Sequence, residues 1–252
     1  MYVTDIDIEP IYAKINAIKA DIEKAQNKKI ETKPWDGIEL TAPNGNGSEM
    51  APYMITSGAE YAWIVSNWAT IVANPIYIQL EKDIDLNGYD PGYISTSIAV
   101  HFDGKGYAIY NFHGRTGLFY NIGANSSISN LTLIKAYVDH IYGNPGLTAG
   151  GFVSIPKGAI TFTNCHLDNT STIIGSGNHV GGFVGSCNFT GGGLVSFSNC
   201  TNASSVYNSG ARSANINAGY GAAGGFAGSF ENVQYILTDC YNFGNIASSD
   251  VR

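Results

Sequence analysis

Hydrophobic and polar positions change rhythm three times along the chain. In residues 1–33 the apolar positions are Ile8, Ile11, Ile15, Ile18, Ile22 and Ala25, at steps of three and four. That spacing predicts a helix with a heptad seam, and Pro10 suits its first turn. Residues 34–58 are broken by Pro34, Gly37, Pro43, Gly45, Gly47, Pro52 and Gly58 and predict a connector. Ser57 with Glu60 forms a capping box ahead of Tyr61, Ile64, Val65, Trp68, Ile71 and Val72, which predicts a short amphipathic helix over 59–72. From Ile76 onward the rhythm is strand-like, as in Asp83-Ile84-Asp85-Leu86 and Tyr107-Ala108-Ile109-Tyr110, with Gly and Asn at the turns.

Within the strand region a pattern returns four times. Gly150-Gly151-Phe152-Val153 is echoed by Gly181-Gly182-Phe183-Val184 and Gly224-Gly225-Phe226-Ala227, with a weaker first copy at Thr116-Gly117-Leu118-Phe119. A second signature follows each copy, at Asn130-Leu131, Asn164-Cys165, Asn199-Cys200 and Asp239-Cys240. From Phe119 through Phe226 the phenylalanine steps are 33, 31 and 43 residues, the range of stacked repeats. The expected fold is mainly β: a single-stranded, right-handed parallel β-helix over 59–252. Helix 59–72 would cover its first edge, and 1–33 would form an α-helical coiled-coil segment. Equivalent residues of successive coils then stack, giving one interior column of Phe119, Phe152, Phe183 and Phe226 and a second of Leu131, Cys165, Cys200 and Cys240. Gly before each Phe is expected to permit a partly left-handed corner.

The helical seam has two readings. Ile at both a and d positions favours trimers, so Ile8, Ile11, Ile15, Ile18, Ile22 and Ala25 would join three chains. The same stripe also suits a helix packed on its own domain.

Composition narrows the partners. Charged residues make up only 13% while hydrophobic residues reach 44%, so the chain can build a core whose polar cover is Gly, Asn, Ser and Thr. A net charge of −7 argues against nucleic acid or an anionic membrane as partner. The first residues are acidic and lack the basic and apolar regions of a secretory signal, and no run of 18 apolar residues occurs. The four cysteines, Cys165, Cys187, Cys200 and Cys240, are therefore expected as free buried thiols.

Catalytic chemistry is thin. Asp83, Asp85 and Asp90 are the densest acids, where a calcium ion could bind, though turn bonding is the simpler role. His101, His113, His140, His166 and His179 show neither metal spacing nor a nucleophile motif. No catalytic residue, metal or cofactor is assigned. Tyr207 and Tyr220, in the longest insertion, are the candidate ligand contacts, since tyrosines can stack on sugar rings.

The order of motifs resembles bacterial surface proteins with glycine-rich GLUG-type repeats. It runs through Tyr53-Met54-Ile55-Thr56-Ser57, Asp83-Ile84-Asp85-Leu86, Phe102-Asp103-Gly104-Lys105-Gly106, Gly117-Leu118-Phe119 and Ile128-Ser129-Asn130-Leu131. The resemblance covers about residues 53–245 and implies the right-handed β-helix. With the front helix added, the layout is similar to bacteriophage fibres and spikes. It implies a non-enzymatic homotrimer on the virion surface, assembled in the host cytoplasm. Its N-terminal region would meet other virion structural proteins, and host-surface glycan is a candidate partner. The alternatives are a bacterial cell-surface adhesin or repeat protein and, behind it, a polysaccharide lyase or hydrolase.

Overall fold

The computed structural model describes residues 9–71, 73–140, 148–189, 192–209 and 222–248. Among these residues the strands form five sheets, every strand pair being parallel, and the chain is a parallel β-solenoid. One full coil illustrates the path. It runs from Phe119–Ile122 (sheet I) to Ser126–Ser129 (sheet II), Thr132–Ile134 (sheet III), Tyr137–His140 (sheet IV) and Thr148–Gly150 (sheet V). Val153–Pro156 then returns to sheet I beside Phe119–Ile122. Sheet II has seven described strands, from Tyr53–Ile55 to Gln234–Thr238.

Alternation makes the strands. In Ile160–Thr163 the burial alternates inward and outward, with Ile160 and Phe162 inside, in register with Val195 and Phe197 one coil on. Phe152, Phe183 and Phe226 stack with ring centroids 4.8 and 5.0 Å apart, and Phe162 on Phe197 at 5.0 Å. Such stacking adds to burial worth roughly 1.5–3 kcal/mol per side chain. Phe119 is not in that column. The register pairs Phe119 with Val153, so Leu118 holds the place of Phe152. Aligning phenylalanines in the sequence misplaces the first copy by one residue; aligning Gly117 with Gly151 is what the backbone requires.

That glycine has a different cause from the one expected. Gly151, Gly182 and Gly225 are not among the positive-φ residues. Instead, a Cβ on Gly151 would strike the carbonyl oxygen of Gly182, and one on Gly182 that of Gly225. The coils approach too closely there for a side chain. Left-handed corners fall to the asparagines. Asn130, Asn164 and Asn199 have φ of 51–52°, and Asp239 continues the column at 52°. Asn199 Nδ2 donates to Asn164 Oδ1 at 3.0 Å, Asn164 Nδ2 to Asn130 Oδ1 at 3.1 Å, and Asn130 Nδ2 to Asp103 Oδ1 at 2.9 Å.

Leu131, Cys165, Cys200 and Cys240 follow these corners and share one column, because the residues after them are paired coil to coil. The thiols are free, and Cys165, Cys200 and Cys240 each donate to the carbonyl two residues earlier.

Among the described residues two α-helices dress the solenoid. Helix α2 (Gly58–Ser66) starts at Ser57, whose side chain accepts from the Glu60 amide at 3.3 Å, and Glu60 in turn accepts from the Thr56 amide and hydroxyl. Its buried face of Ala59, Tyr61, Ala62, Ile64 and Val65 joins the core beside the first strand of sheet II. The helix is shorter than 59–72. The amide of Asn67 bonds Trp63 O at its C-cap, and Trp68–Thr70 turns as a 3₁₀ segment. The expected connector 34–58 is part of the solenoid: Tyr53–Ile55 is a strand, and Trp35 is buried with its indole N–H on Glu39 O at 2.8 Å.

Helix α1 (Glu9–Gln26) lies along sheet III. Lys14 meets Asp239 at 2.9 Å in the last coil, Lys19 lies 5.0 Å over the Phe243 ring, and Gln26 donates to Asp168 at 2.6 Å. Beyond the helix, Lys28 reaches Asp83 at 2.6 Å and Ile30 packs on Ala108, Tyr110 and Ile134. Along the seam Ile22 is buried, Ile15 and Ile18 are half-buried, and Ile11 is 45% exposed. Ile8 lies outside the described residues, as does the Ala25 side chain. Within one chain, then, the stripe has a packing partner that chain order hid: its own sheet III.

Candidate functional site on sheet IV

The corner between sheets III and IV is built from three left-handed residues in successive coils, Asn87 (φ 55°), Asn111 (52°) and Lys135 (54°). Asparagine bears that conformation cheaply; lysine does not. The asparagine side chains are spent on the scaffold: Asn87 Nδ2 donates to Trp35 O at 3.1 Å and Asn111 Nδ2 to Asp85 Oδ1 at 2.7 Å. The Lys135 amide donates to Asp168 Oδ1 at 3.1 Å, which anchors its backbone.

Beside this corner a groove of about 380 Å³ is lined by Asn87, Gly88, Asn111, Phe112, His113, Lys135 and Tyr137. His113 and Tyr137 are register partners on adjacent strands, with rings edge to face at 5.3 Å. His113 Nδ1 donates to Gly88 O at 3.2 Å in the tautomer this bond implies, leaving Nε2 the acceptor. Tyr137 is 38% exposed; its phenol donates to Asp139, and partial burial followed by that carboxylate raises its pKa. The groove thus joins exposed aromatic rings to an ammonium-bearing side chain. That combination suits a sugar ring carrying an acidic group, the ring face packing on Tyr137 and the anion on Lys135.

The tyrosines singled out from sequence fare differently. Tyr207 is exposed on sheet IV, one coil beyond Ile174 and paired with it, so it shares the sheet of Tyr137 but does not line the groove. Tyr220 lies outside the described residues. Groove residues were missed because they are scattered over three coils as ordinary turn residues. The available signal was position: Asn111 and Lys135 directly follow sheet III strands, and Asn87 falls one residue later after its own.

The other candidates are occupied. Asp83 accepts from Ala108 N at 2.9 Å and pairs with Lys28, while Asp85 accepts from Asn87 N and Asn111 Nδ2. Asp168, wholly buried, accepts from Gln26, Thr170, Ser171 and the Lys135 amide. Burial pushes the Cys187 thiol up to about 12, and Cys200 is raised to about 12 chiefly by its hydrogen bond with Cys165, so both stay protonated. Among the described residues no three His, Cys, Asp or Glu side chains gather as a metal site, and no helix is long and apolar enough to cross a membrane.

No family model matches the chain. It is similar to halomucin of Haloquadratum walsbyi, at 31% identity over 169 residues, which is 60% of this chain and 2% of that protein. In structure it is similar to a putative immunoglobulin A1 protease from Bacteroides ovatus, with a TM-score of 0.60 at 22% identity, covering 81% of this chain and 60% of the other. That likeness shows the fold. It also corrects the expectation of a non-enzyme: a solenoid of this fold bears a protease description, so the architecture gives no ground for excluding catalysis. The chain is a parallel β-solenoid that spans a small part of the one relative and less than two thirds of the other.

Proposed function

We propose that this chain is a module of a cell-surface protein of adhesin type, wound right-handed as parallel crossovers generally are, and that it holds an acidic saccharide in the sheet IV groove. The observation that carries the reading is Lys135. A lysine held at φ 54° beside the exposed His113–Tyr137 pair takes the place that Asn111 holds one coil back, and such strained positions concentrate at binding sites. The likeness to halomucin supports a cell surface over a virion. Binding to an array of acidic and neutral glycans tests the proposal. Lys135→Ala and Tyr137→Ala should each weaken retention of acidic glycans about tenfold or more. Equal retention by wild type and both variants sinks the assignment, and release of oligosaccharide during incubation would make the groove catalytic.

The second reading is a homotrimeric virion fibre joined through Ile8, Ile11, Ile15, Ile18, Ile22 and Ala25, reaching other virion proteins by its N-terminal region. The exposure of Ile11 favours it. A solution mass of three chains, reduced to one by Ile11→Lys with Ile15→Lys, is its expected signature.

A further inference from the structure

Behind the sheet IV groove sits a carboxylate that does not line it. Asp168 is wholly buried one coil beyond Leu133, whose carbonyl accepts its amide at 3.2 Å. Its Oδ1 accepts from the Lys135 amide at 3.1 Å and from the Ser171 hydroxyl at 2.5 Å. Ser171 Oγ, also buried, in turn accepts from the Ala136 amide at 2.9 Å. The two amides ahead of Tyr137 are therefore both held from Asp168, one directly and one through a hydroxyl. One coil back the corner is steadied differently, because Asn111 reaches Asp85 with its own side chain at 2.7 Å. Lys135 presents its side chain to the groove, so its steadying group comes from another coil.

The second oxygen of Asp168 answers to a different element. Oδ2 accepts from Gln26 Nε2 at 2.6 Å, and that nitrogen also reaches Asn169 Oδ1 at 2.6 Å. Thr170 donates to Oδ2 as well. Gln26 is the last residue of α1. One buried group thus joins the end of the helix on sheet III to the backbone that carries Lys135 and Tyr137.

We infer that Asp168 is the positioning residue of the groove and that docking of α1, through Gln26, sets how firmly it holds Lys135 and Tyr137, an inference that rests on the saccharide reading of the groove and adds its regulation. The physical ground is the limited capacity of one carboxylate. Gln26, Thr170, Ser171 and the Lys135 amide together fill its lone-pair directions, so it cannot turn. When Gln26 leaves, Oδ2 keeps only Thr170, the carboxylate can rotate, and the left-handed turn at Lys135 can relax towards the commoner backbone regions. Lys135 and Tyr137 then no longer meet one anionic sugar together. Such coupling is reciprocal: a ligand that fixes the corner also tightens α1.

Three substitutions in the full chain separate the parts. Gln26→Ala cuts the helix from Asp168 without touching the groove. Ser171→Ala cuts the link to Ala136, on the groove side of Asp168. Lys24→Gln, at an exposed position of α1, is the control. The first readout needs no ligand: amide hydrogen exchange at Lys135 and Ala136, followed by NMR. Gln26→Ala should raise it about fivefold or more at both amides, Ser171→Ala should do so at Ala136, and Lys24→Gln should leave both as in wild type. The second readout is titration with trigalacturonate, a linear acidic trisaccharide. Gln26→Ala and Ser171→Ala should each weaken its binding about fivefold or more, and saturating trigalacturonate should slow exchange across Glu9–Gln26 in wild type but not in Gln26→Ala. Unchanged exchange at Lys135 and Ala136 in Gln26→Ala overturns the inference. So does faster exchange there with trigalacturonate held as tightly as by wild type, or an equal response to Lys24→Gln, which would reduce the effect to helix stability. Faster exchange in Gln26→Ala, in a protein that holds no trigalacturonate in any form, upholds the coupling and counts against the saccharide reading instead.

Discussion

At the scale of single residues, this protein replaces charge with hydrogen-bonded turns. The asparagine column shows the economy: each residue bears a left-handed corner and passes one amide hydrogen bond to the coil before. His166 stands beside it. Its Nε2–H donates to Asn164 Oδ1 at 3.1 Å and its Nδ1 accepts from Thr201 at 2.8 Å, so both nitrogens are used by the neutral ring. Burial lowers its pKa from 6.5 to about 4, against a smaller opposing pull from Asp21. A folded pKa below the unfolded one means the unfolded chain takes up the proton first as pH falls. Stability is therefore full above about pH 6.5 and declines as pH drops towards 4, by roughly 3 kcal/mol. His101 and His179 are lowered by burial as well and act in the same direction. Urea midpoints at pH 7 and pH 4.5 check this; His166→Gln should remove much of the difference, and an unchanged difference would show that His166 is not its source.

Among the elements, α1 decides how the coils are tied together. It touches the last coil through Lys14, and the segment that follows it reaches the first through Lys28. The Lys14–Asp239 pair is exposed at both ends and adds little. Lys28 differs, because Asp83 is buried and its Oδ2 carries that ion pair. Lys28→Ala leaves a buried carboxylate with one partner, the Ala108 amide, and should cost about 1–3 kcal/mol. Hydrogen exchange is the measurement. Protection should fall over α1 and Ile30 while sheet II keeps its own; equal loss in both would mean that α1 is not a separable strap.

For the whole molecule, stability is a sum over neighbouring coils, each supporting the next. Damage at a closed end should therefore spread only part of the way. Tyr61 is buried where α2 covers the first coil. Tyr61→Ala should cost about 3–5 kcal/mol by opening a cavity there. Exchange should accelerate in Tyr53–Ile55 and Ile76–Leu80 before it does in Ile160–Thr163. Uniform acceleration would indicate a single cooperative unit.

Local pattern was enough to determine the class of fold. Alternation, the Gly-Phe echo and the Asn-Cys echo each depend on neighbours along the chain, and equivalent positions stack in register although the coils differ in length. Tertiary structure decided the rest, because those decisions depend on residues distant in sequence. Leu118 rather than Phe119 continues the phenylalanine column since the next coil's carbonyls fix where a glycine must lie. The apolar stripe of α1 meets sheet III because folding brings Asp239 and Asp83 to one flank. The groove exists only where coiling sets Lys135 over Asn111 and brings Asn87 beside them, a proximity that spacing along a single strand cannot encode.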